Sequence, residues 1–158
     1  MKVYGLYIPD ERGLTNAELY AYVRELKIKT FRGVFMRDTL PSKVNVGNEC
    51  GIVNFNLSVQ PGSHWVCYFK NGDNNQQRIY FDSFGQVTLD EVQKYLKTRE
   101  EYEMGAPVIQ RNTDIVQRTN THVCGHLCLL VLTLLTRKHL SFASVLDQLR
   151  DGFAQGDW

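Results

Sequence analysis

The chain has 158 residues, of which 43% are hydrophobic and 22% are charged, with 18 Lys plus Arg against 17 Asp plus Glu. This length fits one core, so we take residues 1–158 as a single domain. The balanced charge predicts neither a nucleic-acid groove nor a surface for acidic partners. No basic region followed by an apolar stretch opens the chain, and its longest apolar run, Leu127–Leu135, is too short to span a bilayer. We therefore expect an intracellular protein without a membrane partner.

The four cysteines indicate reduced thiols, because a chain without a secretory signal has little use for a disulfide framework. His122, Cys124, His126 and Cys128 alternate two positions apart and resemble a zinc cluster. Residues two apart on a helix point to nearly opposite sides, so these four do not converge on one ion. We expect no metal and no other cofactor. The remaining cysteines are interpreted as small buried hydrophobes, namely Cys50, Cys67 and Cys128.

The first predicted elements are a helix and a strand. Thr15 and Glu18 form a capping box ahead of apolar residues at helical spacing, which predicts an amphipathic helix over residues 15–27. We then expect irregular or short extended structure over Phe31–Leu40, followed by a strand near Ile52–Leu57.

A hairpin follows. Ser63–Phe69 and Arg78–Phe84 are rich in aromatic and β-branched residues, and the polar segment between them contains Asn71-Gly72. Two strands joined by a loop are the structure that this pattern favours.

The register of that hairpin decides which side chains meet. If the turn is symmetric about Asp73, Val66 lies opposite Tyr80, and His64 lies directly opposite Asp82. The β-carbons of that last pair would be about 5 Å apart on one face of the sheet. A slip of one residue would send them to opposite faces.

Thr88 and Glu91 suggest a second capping box, which predicts a helix running to about Arg99. Two short strands are expected after it, over Pro107–Gln110 and Asp114–Gln117.

The last part of the chain predicts two helices. From Cys124 onward almost no position is polar, so this helix should be surrounded by protein. Ser141 then caps a final amphipathic helix.

Four side chains have the types and contexts that a thiol nucleophile needs. A carboxylate at Asp82 would fix the tautomer of His64 and stabilise its imidazolium. A helix start and a nearby imidazolium would favour the thiolate of Cys124. The Cys124 backbone amide and the Gln117 side-chain amide could then donate to a developing oxyanion. These four residues therefore predict acyl transfer by a cysteine protease.

Two neighbours of those residues are candidate substrate-binding positions. Trp65 follows the predicted base and is suited either to the core or to shaping a substrate channel. Gly125 follows the predicted nucleophile and would let a substrate backbone approach closely. His122 and His126 are interpreted as packing or surface histidines.

The chain resembles the adenain family of adenovirus maturation proteases and its relatives that act on ubiquitin-like proteins. The likeness rests on segments that occur in the same order, namely Phe31-Arg-Gly-Val-Phe35, Cys50-Gly-Ile-Val-Asn54, Gly62-Ser-His-Trp65, Tyr80-Phe-Asp-Ser-Phe-Gly85 and Cys124-Gly-His-Leu-Cys128. The gap of seven from Gln117 to Cys124 is similar to adenain. Asp82 instead resembles the SUMO-protease branch, since adenain has glutamate there.

The resemblance implies a fold and residue roles. His64 would be the base, Asp82 would orient it, Gln117 would assist the oxyanion and Cys124 would attack. The implied fold is α+β, with a mixed, largely antiparallel sheet packed on a buried central helix that carries the nucleophile at its N-terminus. Cleavage beside glycine, in Gly-Gly or Gly-X-Gly contexts, is also implied. Ala106 stands near the place of the adenain cysteine that captures a peptide cofactor.

We therefore expect a monomeric thiol endopeptidase that cuts polypeptide precursors of a virus or mobile element after glycine motifs. Such an enzyme would work in the host nucleus or cytoplasm and in the virion. An activating peptide and nucleic acid are left open as partners. Two alternatives remain: a deubiquitinase or ubiquitin-like-modifier protease acting on host conjugates, and a catalytically silent or metal-dependent binding module.

Overall fold

The computed structural model describes residues 1–59, 63–72, 77–97, 105 and 108–158. The strands are β1 Lys2–Val3, β2 Leu6–Tyr7, β3 Phe31–Met36, β4 Glu49–Asn54, β5 Trp65–Lys70, β6 Arg78–Phe81 and β7 Gln110–Arg111. The helices are α1 Asn16–Glu25, α2 Asp90–Leu96, α3 Cys124–Thr136 and α4 Phe142–Ala154.

The main sheet has five strands in the order β3-β4-β5-β6-β7. Its centre is antiparallel, because β5 pairs antiparallel with both β4 and β6. Each edge is parallel, with β3 beside β4 and β7 beside β6. β1 and β2 form a separate antiparallel pair. The predicted α+β class with a mixed sheet is confirmed.

The sheet is covered on both faces. One face carries Ile52, Cys67 and Phe81, which share a core with the leucines of α3 and with residues of α1 and α4. The opposite face carries Val53, Val66 and other side chains that pack with α2. Every residue of α3 except Leu130 is buried, which confirms the predicted central helix. Among the described residues, no helix is both long and apolar enough to cross a bilayer.

Two predicted helix starts are confirmed by their caps. Thr15 Oγ1 accepts from the Glu18 amide at 3.2 Å, and the Glu18 carboxylate accepts from the Thr15 amide at 3.0 Å. Ser141 Oγ accepts from the Ser144 amide at 3.1 Å. In both cases a local side chain satisfies an amide that the first turn leaves unpaired.

The second predicted capping box is wrong. α2 begins at Asp90 with Leu89 as its N-cap, and no side chain caps it. The carboxylate of Glu91 instead accepts from Arg37 Nε at 2.6 Å, which ties α2 to the chain after β3. Arg99, the predicted end of the helix, lies outside the described residues.

The two strands predicted after α2 are only partly present. β7 contains Gln110 and Arg111, whereas Pro107 lies outside the described residues. The strand predicted over Asp114–Gln117 is wrong. That segment is held by a hydrogen bond from the Val116 amide to the Ser83 carbonyl at 2.8 Å, which anchors it without forming a ladder.

The predicted hairpin is present, but its register is wrong by two residues. Tyr68, not Val66, lies opposite Tyr80, and the ladder ends where Cys67 faces Phe81. His64 and Asp82 therefore lie beyond the paired part of the strands. An even slip preserves the alternation of side chains, so both residues stay on one face.

The buried carboxylate of Glu49 links neighbouring elements by hydrogen bonds at the end of the sheet that is far from His64. Glu49 is fully buried and accepts from the Tyr68 hydroxyl at 2.5 Å, from the Tyr95 hydroxyl, and from Arg32 Nη1 at 3.1 Å. Burial disfavours its charged form, but the hydrogen bonds from Tyr68 and Tyr95 outweigh it and lower the pKa of Glu49. The network joins β4, β5 and α2.

We expect Glu49→Ala to destabilise the fold by about 3 kcal/mol, because it leaves the buried hydroxyls of Tyr68 and Tyr95 without their acceptor. Urea unfolding followed by circular dichroism measures the change. The matched control is Glu25→Ala at an exposed position of α1, which should stay within about 0.5 kcal/mol of the wild type. Equal stability of the two variants would contradict a structural role for Glu49.

Candidate active site

His64 and Asp82 meet just beyond the ends of β5 and β6. His64 Nε2 donates to Asp82 Oδ1 at 2.7 Å, with the carboxylate fully buried and the imidazole 14% exposed. The imidazole also stacks on Phe84, with ring centroids 4.9 Å apart and planes at 29°. The predicted contact between the His64 imidazole and the Asp82 carboxylate is present. The stacking on Phe84 holds the imidazole in one orientation.

The backbone of Asp82 is held from both sides by Asn112. Asn112 Oδ1 accepts from the Asp82 amide at 3.2 Å, and Asn112 Nδ2 donates to the Asp82 carbonyl at 2.6 Å. Asp82 Oδ1 accepts a second hydrogen bond from the Phe84 amide at 2.9 Å. Sequence reasoning missed Asn112, because a lone asparagine gives no signal for a partner 30 positions away.

Electrostatics favour a charged His64. Burial opposes the imidazolium, but hydrogen bonds and charge from Asp82 and Cys124 outweigh it and raise the pKa of His64 to about 9. Since Nε2 is engaged by Asp82, Nδ1 is the ring nitrogen left for the sulfur. At neutral pH the imidazole is therefore protonated.

Cys124 is the first residue of α3 and is 6% exposed. Its Sγ accepts from the Trp65 amide at 3.5 Å, which places the sulfur beside the residue that follows His64. The N-cap, Val123, makes no side-chain hydrogen bond. The positive end of the helix dipole is thus directed at the sulfur without a competing cap.

Gln117 lines the same cleft as His64 and Cys124 and is almost fully buried. Its Oε1 accepts from Ser83 Oγ at 2.6 Å, and its Nε2 donates to the Thr121 carbonyl at 3.1 Å. A primary amide has two N–H donors. One donor is used by Thr121 in the described part of the chain, and the other is free for a further acceptor.

His64, Gln117 and Cys124 line one cleft of about 900 Å³, whereas Asp82 lies behind its surface. Its volume suits an extended peptide segment or a large ligand. Among the described residues, no Asp, Glu, Lys or Arg lines it; the lining residues are Leu14, Thr15, Asn16, Val34, Phe35, Met36, Thr39, Ser58, Ser63, His64, Trp65, Phe84, Gln117, Thr119, Asn120, Thr121, His122 and Cys124, with Gly13.

One wall of the cleft is the segment between β2 and α1, residues 9–15. Trp65 Nε1 donates to the Leu14 carbonyl at 2.8 Å, and His126 Nε2 lies 2.7 Å from the Pro9 carbonyl. Trp65 directly follows His64 in the chain, and His126 lies two residues after Cys124. The position of the wall is therefore coupled to β5 and α3.

Gly125 has a packing reason for its missing side chain. A β-carbon there would lie 3.2 Å from Trp65 Cδ1 and 3.4 Å from side-chain atoms of Leu14 and Leu19. The residue is buried and does not line the cleft among the described residues. Its assignment as a substrate-binding residue stays a prediction, as does that of Trp65, which does line the cleft.

The other cysteines lie in environments that suppress reactivity. Cys50 and Cys128 are fully buried, and burial raises the pKa of each thiol well above its ordinary value. Cys67 is also buried. No cluster of three or more His, Cys, Asp or Glu side chains that could hold a metal ion occurs in the described ranges.

Comparison with solved structures finds two crystal structures of the ASFV pS273R protease. One crystal structure aligns with a TM-score of 0.61 at 13% identity, covering 90% of this chain and 66% of that chain. The selenomethionine structure aligns with a TM-score of 0.59 at 14% identity and the same coverage, 90% and 66%. The chain thus spans just under two thirds of the length of that protease. No protein-family model matches the sequence, and comparison with curated proteins finds no match.

At this identity the likeness shows the fold. The chain has the α+β fold of the adenain-like cysteine proteases, with the buried central helix that the sequence predicts. This likeness supports the predicted fold, and the closer resemblance to adenain itself stays a prediction.

We expect Asp82→Asn to lower the pKa of His64 from about 9, because it removes the charge and weakens the hydrogen bond that favour the imidazolium while burial still opposes it. NMR titration of the histidine ring resonances measures the inflection. Asp38→Asn is the control, since that carboxylate accepts from Ser58 and not from His64. An unchanged inflection in Asp82→Asn would contradict this account of the charge.

Proposed function

We propose that this chain is a cysteine endopeptidase in which Cys124 is the nucleophile, His64 the base and acid, Asp82 the orienting carboxylate and Gln117 an oxyanion donor. The observation that carries the proposal is the continuous set of contacts from Asp82 through His64 to the Cys124 sulfur at one cleft. Likeness to the fold of a protease supports the same reaction class. A binding module would have no need of a buried carboxylate that keeps the imidazole charged beside a thiol.

The reaction begins with the thiolate of Cys124 attacking the scissile carbonyl carbon, with the negative charge moving to the carbonyl oxygen. The Cys124 amide and the free N–H of Gln117 Nε2 stabilise that oxyanion. His64 gives its proton to the leaving amine as the C–N bond breaks, which leaves an acyl-enzyme. His64 then takes a proton from water as the water attacks the thioester, and Cys124 leaves as thiolate.

The proposed substrate is a polypeptide with glycine at the cleavage site, in Gly-Gly or Gly-X-Gly contexts. Support comes from the sequence resemblance to the adenain family, and from a cleft wall without Asp, Glu, Lys or Arg side chains among the described residues. Likeness to the ASFV pS273R protease supports a protease of viral type. Processing of viral or mobile-element structural precursors is proposed from the sequence resemblance to the adenain family. The monomeric state, the host-cell or virion location, and any activating peptide or nucleic acid remain expectations.

Substitutions at the four residues should fall into two groups, those that abolish turnover and those that leave residual activity. We expect Cys124→Ala and His64→Ala to abolish turnover, because they remove the nucleophile and the proton carrier. Gln117→Ala should lower kcat by roughly 10²–10³-fold, the usual cost of one oxyanion donor. Initial rates on fluorogenic peptides with a glycine motif measure these losses. Asp82→Ala should likewise keep residual activity.

Cys50→Ala is the control for these substitutions, because Cys50 is a buried cysteine whose contact is with the Lys29 carbonyl, outside the cleft. It should keep activity within about threefold of the wild type. Full activity of Cys124→Ala would overturn the proposed nucleophile, and a normal rate in Gln117→Ala would refute its assigned role.

A second candidate is a protease that removes ubiquitin or a ubiquitin-like modifier. The residue that favours it is Asp82, where the SUMO-protease branch also has aspartate. We expect short peptides ending in a glycine motif to be cut with kcat/KM within tenfold of folded modifier fusions, and replacement of glycine by alanine at the cleaved bond to reduce it by more than tenfold. A preference of 10³-fold or more for a folded modifier would favour the second candidate.

A further inference from the structure

Ser83 has a hydroxyl that the proposed reaction does not yet use. It directly follows Asp82 and is fully buried. Its Oγ donates to Gln117 Oε1 at 2.6 Å, across 34 positions of sequence. Its carbonyl accepts from the Val116 amide at 2.8 Å, next to Gln117 in the chain. Ser83 therefore holds both the side chain and the adjacent backbone of the proposed oxyanion donor.

A glutamine amide offers two chemically opposite ends of nearly the same shape. With nitrogen toward the cleft it donates to an oxyanion, and with oxygen toward the cleft it repels one. Rotation by half a turn would also bring Gln117 Oε1 against the Thr121 carbonyl, where neither oxygen has a proton to donate. Because the side chain is 1% exposed, little solvent can replace the hydrogen bonds lost in such a rotation.

We propose that Ser83 is a positioning residue that keeps the amide nitrogen of Gln117 directed at the cleft. The Ser83 hydroxyl holds one end of the amide by donating to Oε1, while the Thr121 carbonyl, which can only accept, selects Nε2 at the other end. The second N–H of Nε2 is then left for the substrate oxygen. This inference rests on the proposed protease function and deepens it.

The same short segment would then set two parts of the site. Asp82 orients His64, and the next residue orients Gln117. The turn itself is closed by a hydrogen bond from the Gly85 amide to the Asp82 carbonyl at 2.8 Å. The proposed base and the proposed oxyanion donor are thus both positioned by one short backbone segment at the end of β6.

The test compares the Ser83→Ala variant with the wild type in two reactions of Cys124. Hydrolysis of a glycine-motif peptide needs the oxyanion donor, whereas alkylation of the thiolate by iodoacetamide does not. We expect kcat to fall roughly 10- to 100-fold with KM within threefold, since part of one oxyanion donor's effect is lost. The second-order rate of alkylation should stay within twofold of the wild type. Ser144→Ala, an exposed serine of α4, is the matched control and should change neither rate.

A double-mutant comparison distinguishes positioning from a general structural effect. If Ser83 acts through Gln117, the Ser83→Ala, Gln117→Ala double variant should be no slower than Gln117→Ala alone. A full extra loss in the double variant would overturn the inference. So would an unchanged kcat in Ser83→Ala, or an alkylation rate that falls as far as kcat.

A measurement that does not depend on enzymatic activity tests the role of Ser83 separately from the proposed protease function. NMR resonances of the Gln117 side-chain NH₂ group should form one set in the wild type, and should shift or double in Ser83→Ala. Unchanged resonances would overturn the positioning role whatever the activity. Changed resonances in a protein that hydrolyses no peptide would keep the positioning role and overturn the protease.

Discussion

The packing of α3 against β5 is the constraint on which the candidate site depends. Cys124 is the first residue of α3, and His64 immediately precedes β5. The two elements share one core, and the Trp65 amide reaches the Cys124 sulfur at their junction. Because all but one residue of α3 is buried, the helix has no freedom to slide without opening that core. The approach of the sulfur to the imidazole therefore follows from the packing of α3 against β5 in this core.

Local environment assigns different chemistry to identical residue types. Two histidines lie near the start of α3: hydrogen bonds to Asp82 and Cys124 raise the pKa of His64, whereas burial lowers the pKa of His126. The first is charged and suited to proton transfer, and the second is neutral and holds a carbonyl of the cleft wall. Burial likewise raises the pKa of Cys128, one turn below Cys124. The proposed catalytic pair, His64 and Cys124, thus differs from His126 and Cys128 in the groups that surround each ring and thiol.

Much of the site could be predicted from sequence because its members carry local signals. Alternating aromatic residues predicted the hairpin, and the apolar run predicted α3. The meeting of His64 with Asp82 survived an error of two residues in register because sheet alternation has a period of two. The register itself depends on a loop whose geometry composition does not fix. Asn112 and Ser83 were missed for another reason: each acts on a partner at least 30 positions away.

Gly125 shows how one sequence pattern permits two physical explanations. A glycine after the nucleophile is compatible with close approach of a substrate backbone, and equally with close packing of protein. The structure shows close packing of protein at this position, since a β-carbon on Gly125 would press on Trp65 and Leu14. Those two residues line the cleft, and the Trp65 indole holds the Leu14 carbonyl. Gly125 thus packs directly behind two residues of the cleft wall without lining the cleft among the described residues.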